Sequence, residues 1–531
     1  FTNWDDQFLV TQNPLIRSFA VSNLVGMFTS FFVNHYHPLV MVSYATEYAF
    51  AGLQPSLYHL TNIALHAANA MLVIILLQML GGDKMISFIG GLMFALHPLR
   101  VESVAWIAER KDVLSAFFIL AALIMYIRSR KSLSPSTLVP VLLFMVAALL
   151  SKAIAVVLPV LFLLYDYYAD GKITKQAVME KIPFFILSMI FGIIAVFAQY
   201  STGARATDPH FHLLQSFFRS FYGMVFYAEK MLLPLNLTPV YPYPEMIHAS
   251  YPILFWISPV MVAAIGFCMY RFRANRLLLF AVLFALVTLL PVLQFVPVGR
   301  AIAADRFTYL PSIGYSLLMG MSIRYVWKRF RQAWGRIMVV VVSISVLAIF
   351  FVMTQNQLMV WQNNITLWSR VLYYYPNYAE AYNDRGTAFA EQGMVVRALM
   401  DLDTAIHFDS TDSEYFVNRG LVYVHSKQYP EAVKDFSSAI KFDPQDLAAY
   451  FLRGEASRNL HAYSSAIADY SHILDRQPLV YQVRINRANT FIDSGDLQSA
   501  YNDLVFVRRM NVEIDSTLWK RVTSMAAASQ K

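Results

Sequence analysis

A change in character near residue 355 divides this chain into two parts that cannot fold in the same way. Before it, long apolar runs alternate with short polar loops, and after it a more polar stretch repeats itself along the chain. The whole chain is 57% hydrophobic and only 14% charged, which is far from the average of a soluble protein. Because the deficit of charge is concentrated before residue 355, we expect that part to lie in a membrane.

The part after residue 355 repeats with a period of 34 residues. The columns that keep this spacing are Tyr382, Phe416 and Tyr450; Gly386, Gly420 and Gly454; Ala398, Ala432, Ala466 and Ala500; Asp401, Asp435, Asp469 and Asp503; and Arg385, Arg419, Arg453 and Arg487. This period, with a large residue, then glycine, then an alanine in a second helix, is the signature of the tetratricopeptide repeat (TPR). Such helix hairpins stack into a superhelix with a concave surface that binds other polypeptides.

Two of these columns carry opposite charge. Arg385 and Asp401 recur with the same period, so we expect each arginine to pair with the aspartate of its own repeat. The alternative is a ladder of arginines that holds the backbone or the acidic segments of a bound peptide.

These patterns predict an all-α chain in which a polytopic helical membrane domain precedes a soluble TPR solenoid. The membrane domain is expected at 1–355, a linker at 356–377, and about four repeats with a C-terminal capping helix at 378–531. About ten membrane spans are expected, at 58–80, 86–98, 113–127, 137–150, 153–168, 182–199, 252–270, 277–297, 308–323 and 337–354. We also expect one further span before Phe1, because the first residues already resemble a loop that needs a membrane tether.

Basic residues between the spans indicate the orientation. The loops at 128–131, 172–181, 271–276 and 324–336 are rich in lysine and arginine, so they are expected in the cytoplasm. By parity, the segments 1–57, 98–112, 200–251 and 298–308 and the TPR domain then lie outside the cytoplasm. The segment 213–233 carries several charges, which favours an amphipathic helix at the membrane interface over a crossing. This orientation places the repeats on the same side as every motif-like polar loop.

Composition excludes several classes of function. The net charge of +8 comes from short loops between apolar segments, which the membrane orientation explains without nucleic acid as a partner. The single cysteine, Cys268, excludes a disulfide framework. No glycine-rich phosphate loop is present. A nucleotide is therefore not expected as a direct donor, and a membrane-embedded donor fits better.

The first external loop contains the adjacent carboxylates Asp5 and Asp6 next to Trp4. Two interpretations remain open, a solvated or helix-capping pair and a general base that takes the proton from an attacking hydroxyl group. A metal site is the weaker option, since no further acid or histidine follows nearby.

Histidine and asparagine side chains line the next segments. His59, Asn62, His66 and Asn69 share one face of a helix, and a polar stripe that faces the bundle interior is favoured over a zinc site. The motifs around His37 and His97, in which a proline follows each histidine, are expected to line a site.

The segment 97–112 has an unusual density of charge between two apolar spans. One interpretation is a solvated interfacial helix in which Arg100 pairs with Glu102 and Glu109 pairs with Arg110. The alternative is that Arg100, Arg110 or Lys111 binds a lipid phosphate.

A second basic residue at the membrane edge is Arg306, within the run Asp305-Arg306-Phe307. It is expected either to be a snorkelling membrane anchor or to bind the phosphate of a polyprenyl headgroup.

Together these motifs, in this order and with C-terminal TPRs, resemble the transmembrane-and-TPR protein O-mannosyltransferases, which belong to the GT-C class of lipid-donor glycosyltransferases. The resemblance covers nearly the whole chain and is carried by Asp5-Asp6, Tyr36-His37-Pro38-Leu39, the run 52–62, the run 94–112, and Arg306 to Ser312. One departure is His37, where relatives often have arginine, which weakens a phosphate-binding role at that position.

The resemblance implies inverting transfer of mannose or a similar sugar from a polyprenyl phosphate to serine or threonine hydroxyls of proteins held by the TPR domain. Asp5 and Asp6 then become the catalytic residues, with Asp5 favoured as the base. Arg306 becomes the first choice for the donor phosphate, ahead of Arg100, Arg110 and Lys111. Glu102, His37 and His97 would line the site. No cofactor is required, and a divalent metal stays open.

Two other functions remain open. The chain could be a non-catalytic membrane scaffold whose TPRs recruit a partner, or a GT-C enzyme whose acceptor is a lipid or glycan. The single cysteine, the compact loops and the short TPR array are more typical of a bacterial relative than of an animal one, with the TPR domain in the periplasm and an undecaprenyl phosphate donor. In a eukaryote the repeats would lie in the lumen of the endoplasmic reticulum. Membrane lipids are expected as further partners.

Overall fold

The chain forms two compact, almost entirely helical units, Phe1–Tyr374 and Tyr375–Lys531. The structure is a computed structural model that describes residues 1–130, 135–201, 213–244, 251–295, 301–510, 512–515, 518–520, 522 and 523. Parts of five expected segments lie outside the described residues. They are Lys131 of the first basic loop, 202–212 and 245–250 of the segment 200–251, the end of the span at 277–297, the start of the loop at 298–308, and most of the expected capping helix.

Fifteen helices are described in the first unit. They are α1 (Val21–Thr29), α2 (Pro38–Ala51), α3 (Pro55–Met79), α4 (Lys84–Leu96), α5 (Val101–Ala105), α6 (Arg110–Ser129), α7 (Pro135–Leu149), α8 (Leu158–Asp170), α9 (Lys175–Ser201), α10 (Leu213–Leu232), α11 (Ile253–Arg271), α12 (Arg276–Leu289), α13 (Pro311–Arg329), α14 (Ala333–Val360) and α15 (Asn364–Tyr374). Short turns of helix precede or follow several of them, at Gln7–Thr11, Leu15–Arg17, Pro98–Arg100, Ile107–Glu109, Ala153–Val157, Leu290–Val292 and Asp305–Thr308. A two-stranded antiparallel ribbon joins β1 (Tyr241–Pro242) to β2 (Ala301–Ala303).

Proline and glycine determine where several of these helices begin and end. Pro38, Pro55 and Pro311 occupy the first turn of α2, α3 and α13, where a missing N–H costs nothing. Gly52 ends α2 with φ of 58° and Gly171 ends α8 with φ of 74°, a backbone conformation that glycine adopts without strain.

Helix α6 lies at the centre of the bundle and the longer apolar helices surround it. In the segment Ile107–Ser129, 61% of the most apolar window is buried, against 11% for α11 and 17% for α14. The outer helices therefore expose most of their apolar side chains to a surface that only lipid can cover. Within the described residues, six helical segments are long and apolar enough to cross a membrane, and three shorter apolar helices accompany them. The chain is an integral membrane protein.

Helix α13 covers most of the expected span 308–323, although it is less apolar than the six segments above. Two expectations for this unit need correction. The external segment 1–57 is not a plain loop, because it folds into α1 and α2. Residues 213–232 form α10 as expected, yet Arg219 is only 2% exposed, so this charge points into the protein and not toward an aqueous interface.

The second unit consists of helix hairpins with the predicted period. Its helices are α16 (Ala379–Glu391), α17 (Val395–Phe408), α18 (Ser413–His425), α19 (Tyr429–Phe442), α20 (Leu447–Asn459), α21 (Tyr463–Arg476), α22 (Tyr481–Ser494) and α23 (Leu497–Arg509). A Cβ on Gly420 would lie 2.6 Å from Cε1 of Phe436, so only glycine lets α18 and α19 approach this closely. Ala432 and Phe436 also pack against Ala456 of the next repeat. The predicted stack of TPRs is confirmed.

The arginine and aspartate columns pair within each repeat, as predicted. Arg453 Nε lies 2.9 Å from Asp469 Oδ2, and Arg453 Nη2 lies 2.7 Å from Asp469 Oδ1. The same two-pronged geometry recurs in every repeat, in Arg385–Asp401, Arg419–Asp435 and Arg487–Asp503. These arginines are therefore engaged within the solenoid, and the alternative of a free ladder for peptide binding is wrong for these atoms.

The expected linker at 356–377 is largely helical. Its first residues belong to the end of α14 and most of the rest form α15, which packs within the first unit. The division between the two units falls after Tyr374.

Candidate functional site

Charged side chains from four separate segments meet at one end of the membrane unit. They come from the N-terminal residues, the 97–112 segment that leads into α6, the turn before Ala153, and the short helix Asp305–Thr308. Proline after His97 and the short turns on either side of α5 fold 97–112 back into the bundle, and Glu102, Glu109 and Lys111 are all buried there. The interpretation of 98–112 as a solvated interfacial helix is therefore wrong.

Glu109 is the hub of this cluster, since three cations contact its carboxylate. Lys111 Nζ lies 3.1 Å and Arg306 Nε 3.3 Å from Oε1, while Lys152 Nζ lies 3.4 Å from Oε2. Glu109 is 1% exposed. A buried charge is tolerated only when it is paired, so Glu109 and its three cations stabilise one another as a unit.

The two N-terminal carboxylates have different environments. Asp6 is 1% exposed, and its carboxylate accepts hydrogen bonds of 2.8 Å from the backbone N–H groups of Thr2 and Ala108. Asp5 lies 3.7 Å from Lys111 Nζ, with 18% of its side chain exposed. Asp6 thus ties the N-terminal segment to the cluster, and Asp5 is the carboxylate of the pair that a ligand can reach.

Burial raises the pKa of Asp5, and the positive charge of Lys111 only partly opposes this shift. A carboxylate with a raised pKa is a stronger proton acceptor than a free aspartate. The environment of Asp5 therefore suits the role of general base that was expected for it.

Arg306 is held from one side by two glutamates. Its Nη1 contacts Glu102, its backbone N–H donates to Glu102 at 2.9 Å, and its Nε faces Glu109. Although burial opposes its charge, Glu102 and Glu109 raise the pKa of Arg306, so the guanidinium stays charged. Among the described residues these contacts engage Nη1 and Nε but not Nη2. With 20% of its side chain exposed, Arg306 presents a positioned cation rather than an extended membrane anchor.

Arg100 is buried with part of its guanidinium unsatisfied. Its Nη2 donates to the hydroxyl group of Thr308, but Nε and Nη1 have no hydrogen-bond partner among the described residues. Burial lowers the pKa of Arg100 to about 10. Its guanidinium lies 5.3 Å from the ring centre of Tyr309. Unsatisfied buried donors are costly, so this site is suited to an anion.

Arg110 is engaged at every nitrogen. It donates to Asn62 and, at 2.7 Å, to the carbonyl of Tyr58, and its Nη1 lies 2.8 Å from Glu47. A phosphate would have to displace one of these partners. The structure therefore places Arg110 as a buried support of α2 and α3, apart from the Glu109 cluster.

The pairs expected within 97–112 are wrong. Glu102 contacts Arg306 instead of Arg100, and Glu109 contacts Lys111, Lys152 and Arg306 instead of Arg110. Sequence neighbours on these short turns project in different directions, so contacts between distant segments replace the local ones.

The two site histidines differ. His97 Nε2 lies 3.1 Å from the carbonyl of Met231, and its Nδ1 accepts from the N–H of Leu99. His97 therefore begins the short helix at Pro98 and is fully satisfied. His37 is 1% exposed and neither ring nitrogen has a hydrogen-bond partner among the described residues.

The polar stripe on α3 faces the bundle interior, as expected. Asn69 donates to the carbonyl of Val113 at 2.8 Å, and His66 Nδ1 lies 2.7 Å from the hydroxyl group of Tyr309. Among the described residues, no group of three or more histidine, cysteine, aspartate or glutamate side chains is arranged to hold a metal ion.

Four tryptophans cover one side of the cluster. Trp4 stacks on Trp106 at 4.5 Å, and Trp361 and Trp368 lie 5.6 Å from Trp106 and 5.3 Å from Trp4, respectively. Trp361 and Trp368 are 9% and 2% exposed, so they belong to the site and not to an exposed linker.

Sequence reasoning did not assign Glu109, Lys152 or Asp112 to the site. Lys152 Nζ lies 2.6 Å from Asp112 Oδ1, which links α6 to the turn between α7 and α8. A signal was present, because a lysine between two apolar spans is expensive unless it is used or paired. The expected orientation also places residue 152 on the same side as 98–112.

Comparisons with known proteins give a consistent result. A protein O-mannosyl-transferase of Caenorhabditis elegans, F38B6.6, is 24% identical over 415 residues, which are 75% of this chain and 57% of that protein. Human protein O-mannosyl-transferase TMTC3 is 24% identical over 71% of this chain and 45% of its own length. Human TMTC2 is 43% identical over 93 residues, 18% of this chain and 11% of that protein. The chain thus spans about half the length of the relatives that it matches most extensively.

No family model matches the chain. Among solved structures, MamA from Desulfovibrio magneticus RS-1 matches with a TM-score of 0.27 and 19% identity over 28% of this chain and 83% of that one. So low a score adds nothing to the repeat geometry described above. The sequence relatives agree with the resemblance inferred from the motifs, since the chain is similar in sequence to proteins named as protein O-mannosyl-transferases.

Proposed function

We propose that the chain transfers a sugar, mannose or a related one, from a polyprenyl phosphate to serine or threonine hydroxyls of proteins bound by its TPR domain. The observation that carries the proposal is the shared hub at Glu109. Through Lys111 it is linked to Asp5, and it contacts Arg306 directly. The proposed proton acceptor, Asp5, and the proposed phosphate-binding cation, Arg306, are thus linked through one buried carboxylate.

Asp5 acts on the attacking hydroxyl group, and Arg306 acts on the leaving phosphate. Asp5 takes the proton of the acceptor hydroxyl as its oxygen forms a bond to the anomeric carbon of the sugar. The bond between that carbon and the phosphate oxygen breaks, and the polyprenyl phosphate leaves with the electron pair. Arg306 stabilises the negative charge that develops on the leaving phosphate.

Arg100 and Lys111 support the same step. Nε and Nη1 of Arg100 have no hydrogen-bond partner among the described residues, and a phosphate oxygen would satisfy them. Lys111 stands beside Asp5 and keeps a positive charge near the reacting groups. The basic loops favour an orientation with this site and the TPR domain outside the cytoplasm, which is the periplasm in a bacterium.

The test compares glycan mass on extracytoplasmic proteins by intact-mass spectrometry in cells that express wild type, Asp5→Asn or Glu180→Gln. We expect Asp5→Asn to lower transfer at least about 100-fold, because it removes the base without changing the shape of the side chain. Glu180→Gln is the matched control, since this partly exposed acid, which contacts Lys181, lies at the other end of the membrane unit. If wild type itself adds no glycan, the proposal fails and a scaffold function replaces it.

A further inference from the structure

A strained turn precedes His37. Val33 and Asn34 have φ of 43° and 64°, and the backbone of Phe32 and His35 closes the turn with two hydrogen bonds of 2.8 and 2.9 Å. Asparagine tolerates this left-handed conformation, but a β-branched valine does so only with strain. Such strain persists where the surrounding structure requires it, and it is concentrated at functional sites.

The turn and the helix that follows place His37 beside the charged cluster. Pro38 begins α2, and the N–H of Leu39 donates to the carbonyl of Leu150, two residues before Lys152. The ring of His37 lies 5.9 Å from that of Phe32 and 6.2 Å from that of His35. Lys111, Lys152 and Glu109 all act electrostatically on this ring, so His37 lies within electrostatic range of the residues that hold Asp5 and Arg306.

The ring is buried and unsatisfied, which is an unfavourable state for a structural histidine. Both nitrogens lack a hydrogen-bond partner among the described residues, and a buried polar group without one destabilises the fold. His97 shows the ordinary arrangement, because both of its nitrogens are satisfied by backbone groups. The contrast indicates that the partner of His37 is a ligand.

The chemistry of the ring restricts that ligand. Burial and the nearby Lys111 lower the pKa of His37 to about 3, so the imidazole is neutral. A neutral imidazole offers one donor and one acceptor. A phosphate oxygen accepts hydrogen bonds but does not donate them, so it can satisfy the protonated ring nitrogen and not the other one. A cationic ligand would be repelled by Lys111 and Lys152. A hydroxyl group both donates and accepts, so it can satisfy either nitrogen.

We propose that His37 hydrogen-bonds a hydroxyl group of the glycosyl unit of the donor and thereby determines which sugar the site accepts. The proposal rests on the proposed function and extends it, since it assigns the sugar to His37 and the phosphate to Arg306 and Arg100. His37 would be a specificity-determining residue, and Val33 and Asn34 would position it.

The test is the thermal unfolding of the whole chain in nanodiscs without any acceptor. The probes are undecaprenyl phosphate and the same lipid phosphate carrying mannose, glucose, galactose or N-acetylglucosamine. Wild type is compared with His37→Leu, which removes both nitrogens, and with His37→Gln, whose amide keeps a donor and an acceptor. His97→Leu is the matched control for loss of a satisfied buried imidazole.

We expect undecaprenyl phosphate to raise the unfolding temperature of wild type, and at least one sugar-bearing lipid to raise it further. In His37→Leu most of that second increase is lost while the first remains, and His37→Gln changes the order of preference among the sugars. Without ligand, His37→Leu unfolds at the same or a higher temperature than wild type, whereas His97→Leu unfolds at a lower one.

Several results would overturn the proposal. A sugar-dependent increase that persists in His37→Leu would show that the imidazole does not bind the sugar. If His37→Leu does not fold, an unchanged order of preference among the sugars in His37→Gln would overturn the proposal instead. The proposal is also excluded if undecaprenyl phosphate raises the unfolding temperature of wild type but none of the sugar-bearing lipids raises it further. If no polyprenyl phosphate stabilises wild type at all, the proposed function itself fails.

Discussion

At the scale of single residues, the pH dependence of transfer depends on Asp5. Burial raises its pKa above the usual value of 3.8, and Lys111 opposes that shift. The base must be ionised, so kcat/KM should fall as the pH drops through this raised pKa. Replacing Lys111 with methionine removes the opposing charge, so the acid limb of the kcat/KM profile should move to higher pH. An acid limb at the same pH in Lys111→Met would exclude Asp5 as the base.

Glu109 is expected to act as a positioning residue. Glu109→Gln removes the charge that holds Lys111, Lys152 and Arg306, so we expect kcat to fall about 100-fold through misplacement of Asp5 and Arg306. The measurement is kcat and KM on folded protein in nanodiscs.

Asp166→Asn is the control for this prediction. Asp166 is a comparably buried carboxylate that contacts Arg130 and Lys181, each at 2.8 Å, at the far end of the bundle. The Asp166→Asn variant should have lower stability than wild type but the same kcat per folded molecule. Equal losses of kcat in both variants would mean that Glu109 acts only through stability.

The residues of the site were only partly predictable. Asp5 and Arg306 stand out because charges at the edge of a membrane are expensive, and their order along the chain resembles that of known relatives. The contacts of Glu109 were not predictable, since its nearest charged neighbour in sequence is Arg110 but its partners come from three different segments. Hydrophobic periodicity identifies helices and strands but not the contacts of short turns. It therefore does not show that Glu109 lies at the centre of the charged cluster.

At the scale of elements, the TPR hairpins depend on close contact at glycine. In Gly420→Ala the new Cβ would overlap Phe436, and we expect a loss of about 1–3 kcal/mol in local stability. Ser438→Ala, on an exposed face of α19, should change it by less than about 0.5 kcal/mol. Hydrogen exchange of α18 and α19 in the whole chain measures both effects. Equal protection in wild type and Gly420→Ala would mean that α19 shifts without cost.

The solenoid was the most predictable element, and the physical reason is its repetition. Glycine, alanine, arginine and aspartate recur every 34 residues because every hairpin solves the same packing problem. The helices α1 and α2 were not predicted. They lie in a segment without a long apolar run, and their ends are determined by Pro38 and Gly52 rather than by hydropathy.

At the scale of the whole molecule, the proposed orientation can be tested with the single cysteine as a starting point. Cys268 is exposed on α11, so a Cys268→Ser background leaves no thiol. Lys172→Cys and Lys434→Cys then place one thiol in a basic loop and one on the repeats. In sealed cells, a membrane-impermeant maleimide should label Lys434→Cys and not Lys172→Cys. Labelling of both or the reverse pattern would exclude the orientation.

The overall architecture was predictable from composition because apolar runs and basic loops are properties of whole segments. The number of spans was less certain. Helix α13 carries glycine, serine and charged residues within its length, so its hydropathy alone does not identify it as a span. Its packing against α4 and α12 places it within the bundle. For this helix, tertiary contacts are therefore more informative than average hydropathy.

The stack of Trp4 on Trp106 gives the protein an optical reporter of its own site. Four of the eight tryptophans of the chain belong to this cluster, and the charged groups of Arg306 and Lys111 lie 5.4 and 5.9 Å from the Trp106 ring. An anion that draws these cations away would alter the field across the indole. Intrinsic fluorescence should therefore shift when a polyprenyl phosphate binds, and Trp106→Phe should abolish most of that change, so occupancy could be followed without any label.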